Sequence, residues 1–299
     1  MARKLIYFIN PISGTKSKAP LLKKIRERTA EQNLPFEILH TNAAADYQYL
    51  IEKIESEKIT DVIVCGGDGT VNQITFALMG IDINIGIIPM GSGNGLALAA
   101  KIPRNPDIAL DIVFGGKAAF IDSFFINDSF SCMLCGLGFD AQVAHDFAKQ
   151  STRGLATYVK QTILNFFKAK PYPFTILNKG LPFETDAFFI SIANSNQFGN
   201  SFTIAPKASL NDGLLDIVVV KKMSKIRMIW AILQQIANGQ IFEHDEKTFH
   251  DKDVLYFQTD ALVIQNHDMA PLHIDGDPAP SSGTFSVKII PNAFKLLQP

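Results

Sequence analysis

Four short apolar runs alternate with helical patterns in the first hundred residues of the chain. The runs cover residues 4–9, 36–40, 61–65 and 84–88, and the helical patterns lie near residues 20–33, 44–57 and 70–80. Buried strands that alternate with helices are typical of a parallel sheet, because a crossover between two parallel strands needs a dozen or more residues. The sequence therefore predicts an α/β domain in its first part.

From about Lys117 the pattern changes to strands in which apolar and polar residues alternate. We predict such strands at residues 120–126, 130–135, 188–193, 215–220, 254–257 and 285–290. They indicate a mainly antiparallel β domain. Two helical patterns, at residues 154–168 and 223–241, interrupt it. In the first, Phe166 and Phe167 belong to the apolar stripe, whereas Gln161 and Asn165 face away from it.

Composition excludes several classes of protein. Of the 299 residues, 47% are hydrophobic and 19% charged, so a disordered chain is excluded. The net charge of −1 provides no basic field for nucleic-acid phosphates, and we expect no binding to nucleic acid.

The first apolar run is too short for a signal peptide and no run is long enough to span a bilayer, which predicts a cytoplasmic protein. Its cysteines, Cys65, Cys132 and Cys135, are interpreted as buried thiols.

Three glycine-bearing loops follow predicted strands of the first domain. They are Asn10-Pro11-Ile12-Ser13-Gly14, Gly66-Gly67-Asp68-Gly69-Thr70 and Pro89-Met90-Gly91-Ser92-Gly93-Asn94-Gly95. Backbone N–H groups approach an anion most closely where no Cβ intervenes. Because the carboxyl ends of parallel strands line one crevice, the three loops together predict a phosphate-binding site there.

Neither common nucleotide fingerprint is present in these loops. A Walker A loop and a Rossmann GxGxxG both require spacings that the glycines lack; Leu96 and Asn72, for example, stand where the last Rossmann glycine would be. The Gly-Gly-Asp-Gly sequence instead brings a carboxylate, Asp68, among phosphate-binding amides. Such a carboxylate repels phosphate unless a metal or a proton-transfer role compensates. The alternative is that Asp68 caps the helix that follows.

Taken together, these motifs resemble the diacylglycerol kinase catalytic domain family, which includes bacterial lipid kinases, sphingosine kinases and ceramide kinases. The resemblance continues in the second half of the chain. The matching segments there are Ala193-Asn194, Gly199, Ala205-Pro206, Asp212-Gly213-Leu214-Leu215-Asp216 and Ile274-Asp275-Gly276-Asp277.

The resemblance implies two domains. Residues 1–117 would form an α/β nucleotide-binding domain like those of NAD kinases and phosphofructokinases, and residues 118–288 a β-sandwich that binds lipid. The tail, about residues 289–299, would return to the first domain. Members of the family transfer the γ-phosphoryl group of ATP, with Mg²⁺, to a lipid hydroxyl, of the diacylglycerol or sphingoid type. The protein would therefore contact membrane surfaces transiently, and Phe166, Phe167 and the face of residues 223–241 are candidates for that contact.

The resemblance also implies roles for individual residues. ATP would be bound by Asn10, Ser13, Gly14, Thr41, Gly66, Gly67, Asp68, Gly69, Thr70, Asn72, Gly91, Ser92, Gly93 and Asn94. Catalytic roles would fall to Asp68, Asp275 and Asp277, of which Asp277 replaces the usual glutamate. The metal would be held by Ser209, Asp212 and Leu214. Arg153 is a candidate for a phosphate contact, and Asp140 for the partner of a sphingoid ammonium group.

Two other functions remain open at this point. One is an NAD-kinase-like phosphotransferase, since that family shares the Gly-Gly-Asp-Gly loop. The other is a non-catalytic module that binds ATP as a sensor. The six histidines show no metal-ligand spacing and no catalytic triad, and no role is assigned to them.

Overall fold

The computed structural model describes residues 3–14, 17–42, 46–150, 155–197, 204–226 and 253–299. The chain divides into two compact units. Unit 1 comprises Met1–Asp122 and Pro291–Pro299, and unit 2 comprises Ser123–Ile290. The chain passes from one unit to the other within two long strands, β5 (Lys117–Ile126) and β15 (Thr284–Gln298).

Unit 1 is built on a parallel sheet. Its strands are β1 (Leu5–Ile9), β2 (Phe36–His40), β3 (Asp61–Gly66) and β4 (Asn84–Pro89), which pair in the order β4-β3-β1-β2. The last part of β15 adds a further parallel strand beside β4. Strands β1 and β3 are buried along their whole length, as expected for central strands covered on both faces. The predicted α/β organisation is confirmed.

Five helices are described in unit 1. They are α1 (Ala19–Glu31), α2 (Tyr49–Glu57), α3 (Asp68–Ala77), α4 (Gly95–Ala99) and α5 (Pro106–Gly115). The first three lie where the sequence predicts helices, whereas α4 and α5 were not predicted. The start of α5 nevertheless has a local signal, because the Asn105 side chain accepts a hydrogen bond from the Asp107 N–H and Pro106 occupies the first turn.

Unit 2 contains an antiparallel sheet, as predicted. Its strands are β6 (Ser129–Ser131), β7 (Leu134–Gly138), β8 (Tyr172–Asn178), β9 (Leu181–Ala193), β10 (Leu215–Lys221), β11 (Val254–Thr259), β12 (Ala261–Asn266), β13 (Leu272–Ile274), β14 (Asp277–Ala279) and the first part of β15. They pair in the order β14-β13-β7-β9-β8-β12-β15, and β10 joins β9 to β11. Strands β8, β12, β13 and β14 were not predicted, and the predicted strand at 130–135 is divided between β6 and β7.

Two helices of unit 2, α6 (Phe139–Ala148) and α7 (Leu155–Lys168), pack against each other. The prediction that Gln161 and Asn165 face away from the packed side of α7 is wrong, since both are buried. Their burial has a polar cause: Asn165 donates to the Gln161 carbonyl over 3.0 Å and hydrogen-bonds Asp146 of α6. The opposite side of α7 exposes Phe167 by 70% and Ile163 by 53%.

The helix predicted at 223–241 lies mostly outside the described residues. Within the described part of the chain, no helix is long and apolar enough to cross a bilayer. All three cysteines are buried thiols that form no disulfide, as expected, and burial raises the pKa of the Cys65 and Cys135 thiols.

Candidate active site

The loop after β1 is tied to the segment after β3. The Asn10 N–H donates to the Cys65 carbonyl over 3.0 Å, and the Asn10 side-chain amide donates to Thr70 Oγ1 over 2.7 Å. The side-chain oxygen of Asn10 accepts from the Ile12 N–H, and Ser13 Oγ donates to the Asn10 carbonyl. Asn10 therefore fixes both its own loop and the neighbouring one.

The same loop also touches the segment after β4. Gly14 has a positive φ of 62°, and a Cβ built on it would lie 2.4 Å from the Met90 carbonyl oxygen. A larger residue at position 14 would be strained and would push against main chain. The glycine thus permits a close approach of two of the three predicted phosphate loops.

A second close approach joins the loops after β3 and β4. A Cβ on Gly91 would lie 2.6 Å from the Gly67 Cα, in the neighbouring loop. Within the segment that follows β3, a Cβ on Gly66 would lie 2.7 Å from the Thr70 Cβ. Strands β3 and β4 are in register up to the pair Gly66 and Pro89. The glycines therefore allow the two strand ends to continue as closely packed loops.

Asn94 closes the loop after β4. Its side-chain oxygen accepts from the Gly91 N–H and its side-chain amide donates to the Gly91 carbonyl, both over 2.8 Å. Asn94 is buried and has a left-handed backbone, with φ of 55°. The carbonyls of Ser92 and Gly93 accept hydrogen bonds from Arg104. Hydrogen bonds from Asn94 and from Arg104 therefore hold the loop after β4 in place.

Helix α3 begins within the Gly-Gly-Asp-Gly sequence. Gly67 occupies the N-cap position, and its carbonyl accepts from the N–H groups of Thr70 and Val71, both over 3.0 Å. Asp68 is the first helical residue and not the cap, and it is half-buried. A carboxylate in the first turn is favoured by the helix dipole. Gly69 and Asn72 follow in the same helix.

The structure brings the predicted nucleotide-binding residues of unit 1 to one edge of the sheet. Thr41 joins them, because its N–H donates to the Ile9 carbonyl over 3.0 Å, at the carboxyl end of β1. The loops after β1, β2, β3 and β4 thus leave the sheet at the edge where open α/β sheets bind ligands.

Two basic residues near these loops were missed by the sequence analysis. Lys18 donates to the Ser13 carbonyl, and burial lowers the pKa of its ammonium group. Arg104 binds the carbonyls of Ser92 and Gly93. Because Lys18 lies only four residues after Gly14, its position in the sequence could have identified it as a neighbour of the first loop. Arg104 lies outside the three glycine loops, and no sequence signal links it to them.

The predicted metal site lies in a turn of unit 2. The Leu214 N–H donates to Asp212 Oδ1 over 3.0 Å, and Ser209 Oγ donates to Asn211 Oδ1. Asp212 is exposed, and its carboxylate, the Ser209 hydroxyl and the main-chain carbonyl groups of the turn are oxygen donors. This donor set suits Mg²⁺, which is commonly held by one or two carboxylates and water. Among the described residues, no three His, Cys, Asp or Glu side chains form a metal cluster.

Asp216, four residues after Asp212, is fully buried in β10. Gln258 donates to its Oδ1 over 3.2 Å, while its Oδ2 has no hydrogen-bond partner among the described residues. Burial raises the pKa of this carboxyl to about 7, and the nearby charge of Asp212 adds to the shift. No role was predicted for Asp216 beyond its place in the motif.

Asp275 and Gly276 form the two-residue loop of the hairpin between β13 and β14. Both have positive φ, 49° and 87°, as a type I′ turn requires. The Asp275 carboxylate is buried and accepts from Ser131 Oγ over 2.6 Å and from the N–H groups of Cys132, Met133 and Leu134. The carboxylate of Asp275 therefore fixes the hairpin to the chain before β7.

The other acidic candidates of unit 2 have different surroundings. Asp277 is exposed at the start of β14 and pairs with Ile274 across the hairpin. Asp140 is buried in the first turn of α6, with its Oδ2 3.4 Å from Nε2 of His273. Arg153 lies outside the described residues.

The sequence matches two family descriptions. Residues 4–126 match the diacylglycerol kinase catalytic domain, and residues 134–298 match the YegS C-terminal NAD kinase beta sandwich-like domain. The second match alone covers more than half of the chain.

Individual relatives agree with these matches. A protein of Chromohalobacter salexigens named probable lipid kinase YegS-like is 24% identical over 298 residues, which cover 96% of this chain and 92% of that protein. One of the same name from Yersinia enterocolitica is 27% identical over 285 residues, covering 91% and 92%. The crystal structure of a diacylglycerol kinase from Bacillus anthracis has the same fold, with a TM-score of 0.75 at 20% identity, covering 99% of this chain and 97% of that chain.

The matches confirm an N-terminal α/β domain followed by a β-sandwich, and they confirm the family that the sequence motifs resemble. They also confirm the general class of reaction, phosphoryl transfer to an alcohol. The chain belongs to the family of lipid kinases that combine a diacylglycerol kinase catalytic domain with a YegS C-terminal NAD kinase beta sandwich-like domain.

Proposed function

We propose that the protein transfers the γ-phosphoryl group of ATP to the hydroxyl group of a long-chain lipid alcohol, with Mg²⁺ as cofactor. The observation that carries this proposal is the junction of three glycine loops at the carboxyl edge of the parallel sheet, with the Asp68 carboxylate at the start of α3. Catalysis of phosphoryl transfer depends mainly on positioning and on neutralisation of phosphate charge. Glycine at the end of a strand lets a phosphate group approach the main chain closely, because no Cβ intervenes.

The nucleotide phosphates would lie on these loops. The residues proposed to bind ATP are Asn10, Ser13, Gly14, Thr41, Gly66, Gly67, Asp68, Gly69, Thr70, Asn72, Gly91, Ser92, Gly93 and Asn94. Lys18 and Arg104, which bind carbonyl groups of two of the loops, add positive charge beside them. This charge supports an anionic ligand at the edge of the sheet.

Asp68 and Asp277 are the two candidates for the group that accepts the proton of the lipid hydroxyl. Asp68 is supported by its place in the first turn of α3, directly after the N-cap residue Gly67. Asp277 is supported by its exposure. We assign Asp275 a positioning role, since Ser131 Oγ and the N–H groups of Cys132, Met133 and Leu134 already donate to its carboxylate.

The magnesium ion would be held by Ser209, Asp212 and Leu214. When bound, Mg²⁺ supplies neutralisation of phosphate charge. The chain's own contribution is the turn that keeps Asp212 Oδ1 fixed by the Leu214 N–H while the carboxylate remains exposed.

For the acceptor, we propose a diacylglycerol-type lipid ahead of a sphingoid base. A sphingoid ammonium group needs an acidic partner, for which Asp140 is the candidate. In the structure the Asp140 carboxylate is buried against His273 and accepts a hydrogen bond from the Ala141 N–H. Because Asp140 is only 8% exposed, its burial keeps it from an ammonium group of the acceptor and favours an acceptor without a positive charge.

We further propose transient contact with a membrane through α7. Its exposed side carries Phe167 and Ile163, and Ile226 is 78% exposed. Lys160 and Lys168 lie exposed on the same helix. An apolar surface beside basic residues is suited to the boundary between the headgroups and acyl chains of anionic lipids.

The test is transfer of labelled γ-phosphate from ATP to a panel of acceptors. The panel contains diacylglycerol, a sphingoid base and NAD, each with and without Mg²⁺. Phosphorylated lipid that requires Mg²⁺ is the expected result. Phosphorylated NAD with unreacted lipids would indicate an NAD-kinase-like enzyme, and ATP binding without any transfer would indicate a sensor; either result overturns the proposal.

A further inference from the structure

A carboxylate and a histidine face each other in the interior of unit 2. Asp140, in α6, and His273, in β13, are separated by more than a hundred residues, and both are buried, with 8% and 1% of their surface exposed. Asp140 Oδ2 lies 3.4 Å from Nε2 of His273. The other oxygen of Asp140 accepts from the Ala141 N–H over 2.8 Å, which fixes the carboxylate.

Gly136 of β7 provides the space for this pair. A Cβ at that position would lie 1.9 Å from Asp140 Oδ2 and 2.5 Å from Nε2 of His273. His273 and Gly136 are paired in neighbouring strands. The glycine therefore lets the carboxylate and the imidazole meet directly over the sheet.

The second nitrogen of His273 is bound to the hairpin that carries Asp275, Gly276 and Asp277. The Gly276 N–H donates to His273 Nδ1 over 3.3 Å. A neutral imidazole that accepts at Nδ1 carries its proton on Nε2, the nitrogen that faces Asp140. The hydrogen bond from Gly276 thus requires the Nε2–H tautomer. Asp140 Oδ2 lies 3.4 Å from Nε2 without making a hydrogen bond, and its negative charge favours the same tautomer.

We infer that Asp140 and His273 form a positioning pair that holds the β13–β14 hairpin, and with it Asp277, in the geometry used for phosphoryl transfer. Asp140 keeps the imidazole in the Nε2–H tautomer, and Nδ1 then fixes the Gly276 N–H, next to Asp277 in the chain. The carboxylate of Asp275 holds the same hairpin from its other side through the segment Ser131–Leu134. This inference rests on the proposed function, specifically on a role of Asp277 in the reaction.

The decisive variant is Asp140→Asn. The Ala141 N–H would hold the amide oxygen, so the amide nitrogen would face Nε2 and donate to it. His273 would then carry its proton on Nδ1, opposite the Gly276 N–H, and two donors would face each other. Asp128→Asn, at an exposed position of unit 2, is the matched control.

The first measurement is independent of activity. ¹⁵N spectra of the imidazole rings, with the His273 signal assigned by its loss in His273→Gln, report the tautomer. We expect Nε2–H in the unmodified protein, Nδ1–H in Asp140→Asn, and a displaced Gly276 amide signal in that variant. An Nδ1–H imidazole in the unmodified protein would overturn the inference, even if Asp140→Asn did not fold.

The second measurement is a kinetic cycle with Asp277→Asn. Loss of such an orienting contact typically costs about 10- to 100-fold, and we expect that loss in kcat for Asp140→Asn, with KM for ATP unchanged. In the Asp277→Asn background, Asp140→Asn should have no further effect. His273→Asn, which keeps an acceptor near the Nδ1 position, should retain more kcat than His273→Gln.

The outcomes separate the inference from the proposed function. If Asp140→Asn lowers kcat by the same factor in the unmodified protein and in the Asp277→Asn variant, the pair does not act through Asp277, and the inference fails. Full activity of Asp277→Asn removes the link between the hairpin and turnover, and the inference fails with it while lipid kinase activity stands. Absence of lipid phosphorylation in the unmodified protein refutes the proposed function alone, and the spectra still decide whether the pair holds the hairpin.

Discussion

Gly67 and Gly91 face each other so closely that neither has room for a side chain. A Cβ on Gly91 would lie 2.6 Å from the Gly67 Cα, and one on Gly67 would lie 3.0 Å from the Gly91 Cα. Because both neighbours are main-chain atoms, no rotation of a side chain can relieve the contact. Two loops that follow neighbouring strands are thereby joined at the candidate nucleotide site.

Gly91→Ala should impair both stability and turnover. The added methyl group must separate the two loops, and we expect a cost of about 1–3 kcal/mol in the free energy of unfolding together with a higher KM for ATP. Gly115→Ala is the control, since a Cβ there meets nothing within 4 Å. Denaturant unfolding and steady-state kinetics of both variants provide the comparison; equal behaviour would contradict the close packing of the loops.

Asp68→Asn should nearly abolish turnover in a folded protein. If Asp68 accepts the hydroxyl proton or organises the metal, the expected loss in kcat is about 10²–10⁴-fold. The variant keeps the size of the side chain and should leave the melting temperature close to that of the unmodified protein. Asp128→Asn controls for loss of an exposed carboxylate. Near-normal kcat in Asp68→Asn would remove Asp68 from the reaction and leave Asp277 as the candidate.

Asp212→Ala should remove the response of stability to Mg²⁺. An ion that binds only the folded state raises the melting temperature, and the rise depends on its concentration. We expect Mg²⁺ to raise the melting temperature of the unmodified protein and to have little effect on Asp212→Ala. Asp186→Ala, which removes another exposed carboxylate of unit 2, should still respond to the ion. Identical responses of Asp212→Ala and the unmodified protein would show that this turn does not bind it.

Asp216→Asn should change how stability depends on pH. Burial raises the pKa of the Asp216 carboxyl from 3.8 to about 7, so the folded state holds a proton that the unfolded state has lost between these values. The contribution of this group to stability is therefore complete below about pH 4 and is lost as the pH rises through about 7.

In Asp216→Asn the side chain does not ionise, so stability is not lost at this position as the pH rises. The asparagine can still accept the hydrogen bond from Gln258. Its free energy of unfolding relative to the unmodified protein should rise between about pH 4 and pH 7, by at most about 4 kcal/mol. Denaturant titrations at several pH values measure this difference. A difference that stays constant over the whole range would mean that Asp216 ionises normally.

Phe167→Ser should weaken binding to anionic liposomes. Phe167 is 70% exposed on α7, and its removal takes apolar area from the proposed membrane contact. Leu181→Ser is the control, because Leu181 is 67% exposed but lies at the start of β9. Flotation with liposomes should separate the two variants. Equal flotation of Phe167→Ser and the unmodified protein would exclude this part of α7 from the contact.

The sequence by itself determined the class of fold and the family. The apolar runs that became β1, β2, β3 and β4 are short and continuous, and the glycine loops after them follow a specific pattern, so local information was sufficient. The antiparallel character of the later half was also local, since alternating residues mark strands with one buried face. Weak local signals explain why α4, β13 and β14 were not predicted, since α4 has only five residues and the two strands three each.

Only the tertiary structure decided which polar groups meet. Gln161 and Asn165 look solvent-facing by helical periodicity, yet a packed neighbouring helix with a hydrogen-bonding carboxylate, Asp146, buries that side and leaves Phe167 exposed. Asp140 and His273 have no common sequence signal, because their contact depends on how α6 crosses the sheet over Gly136. A residue type and its spacing can predict a loop, but a contact between distant polar groups is set by packing.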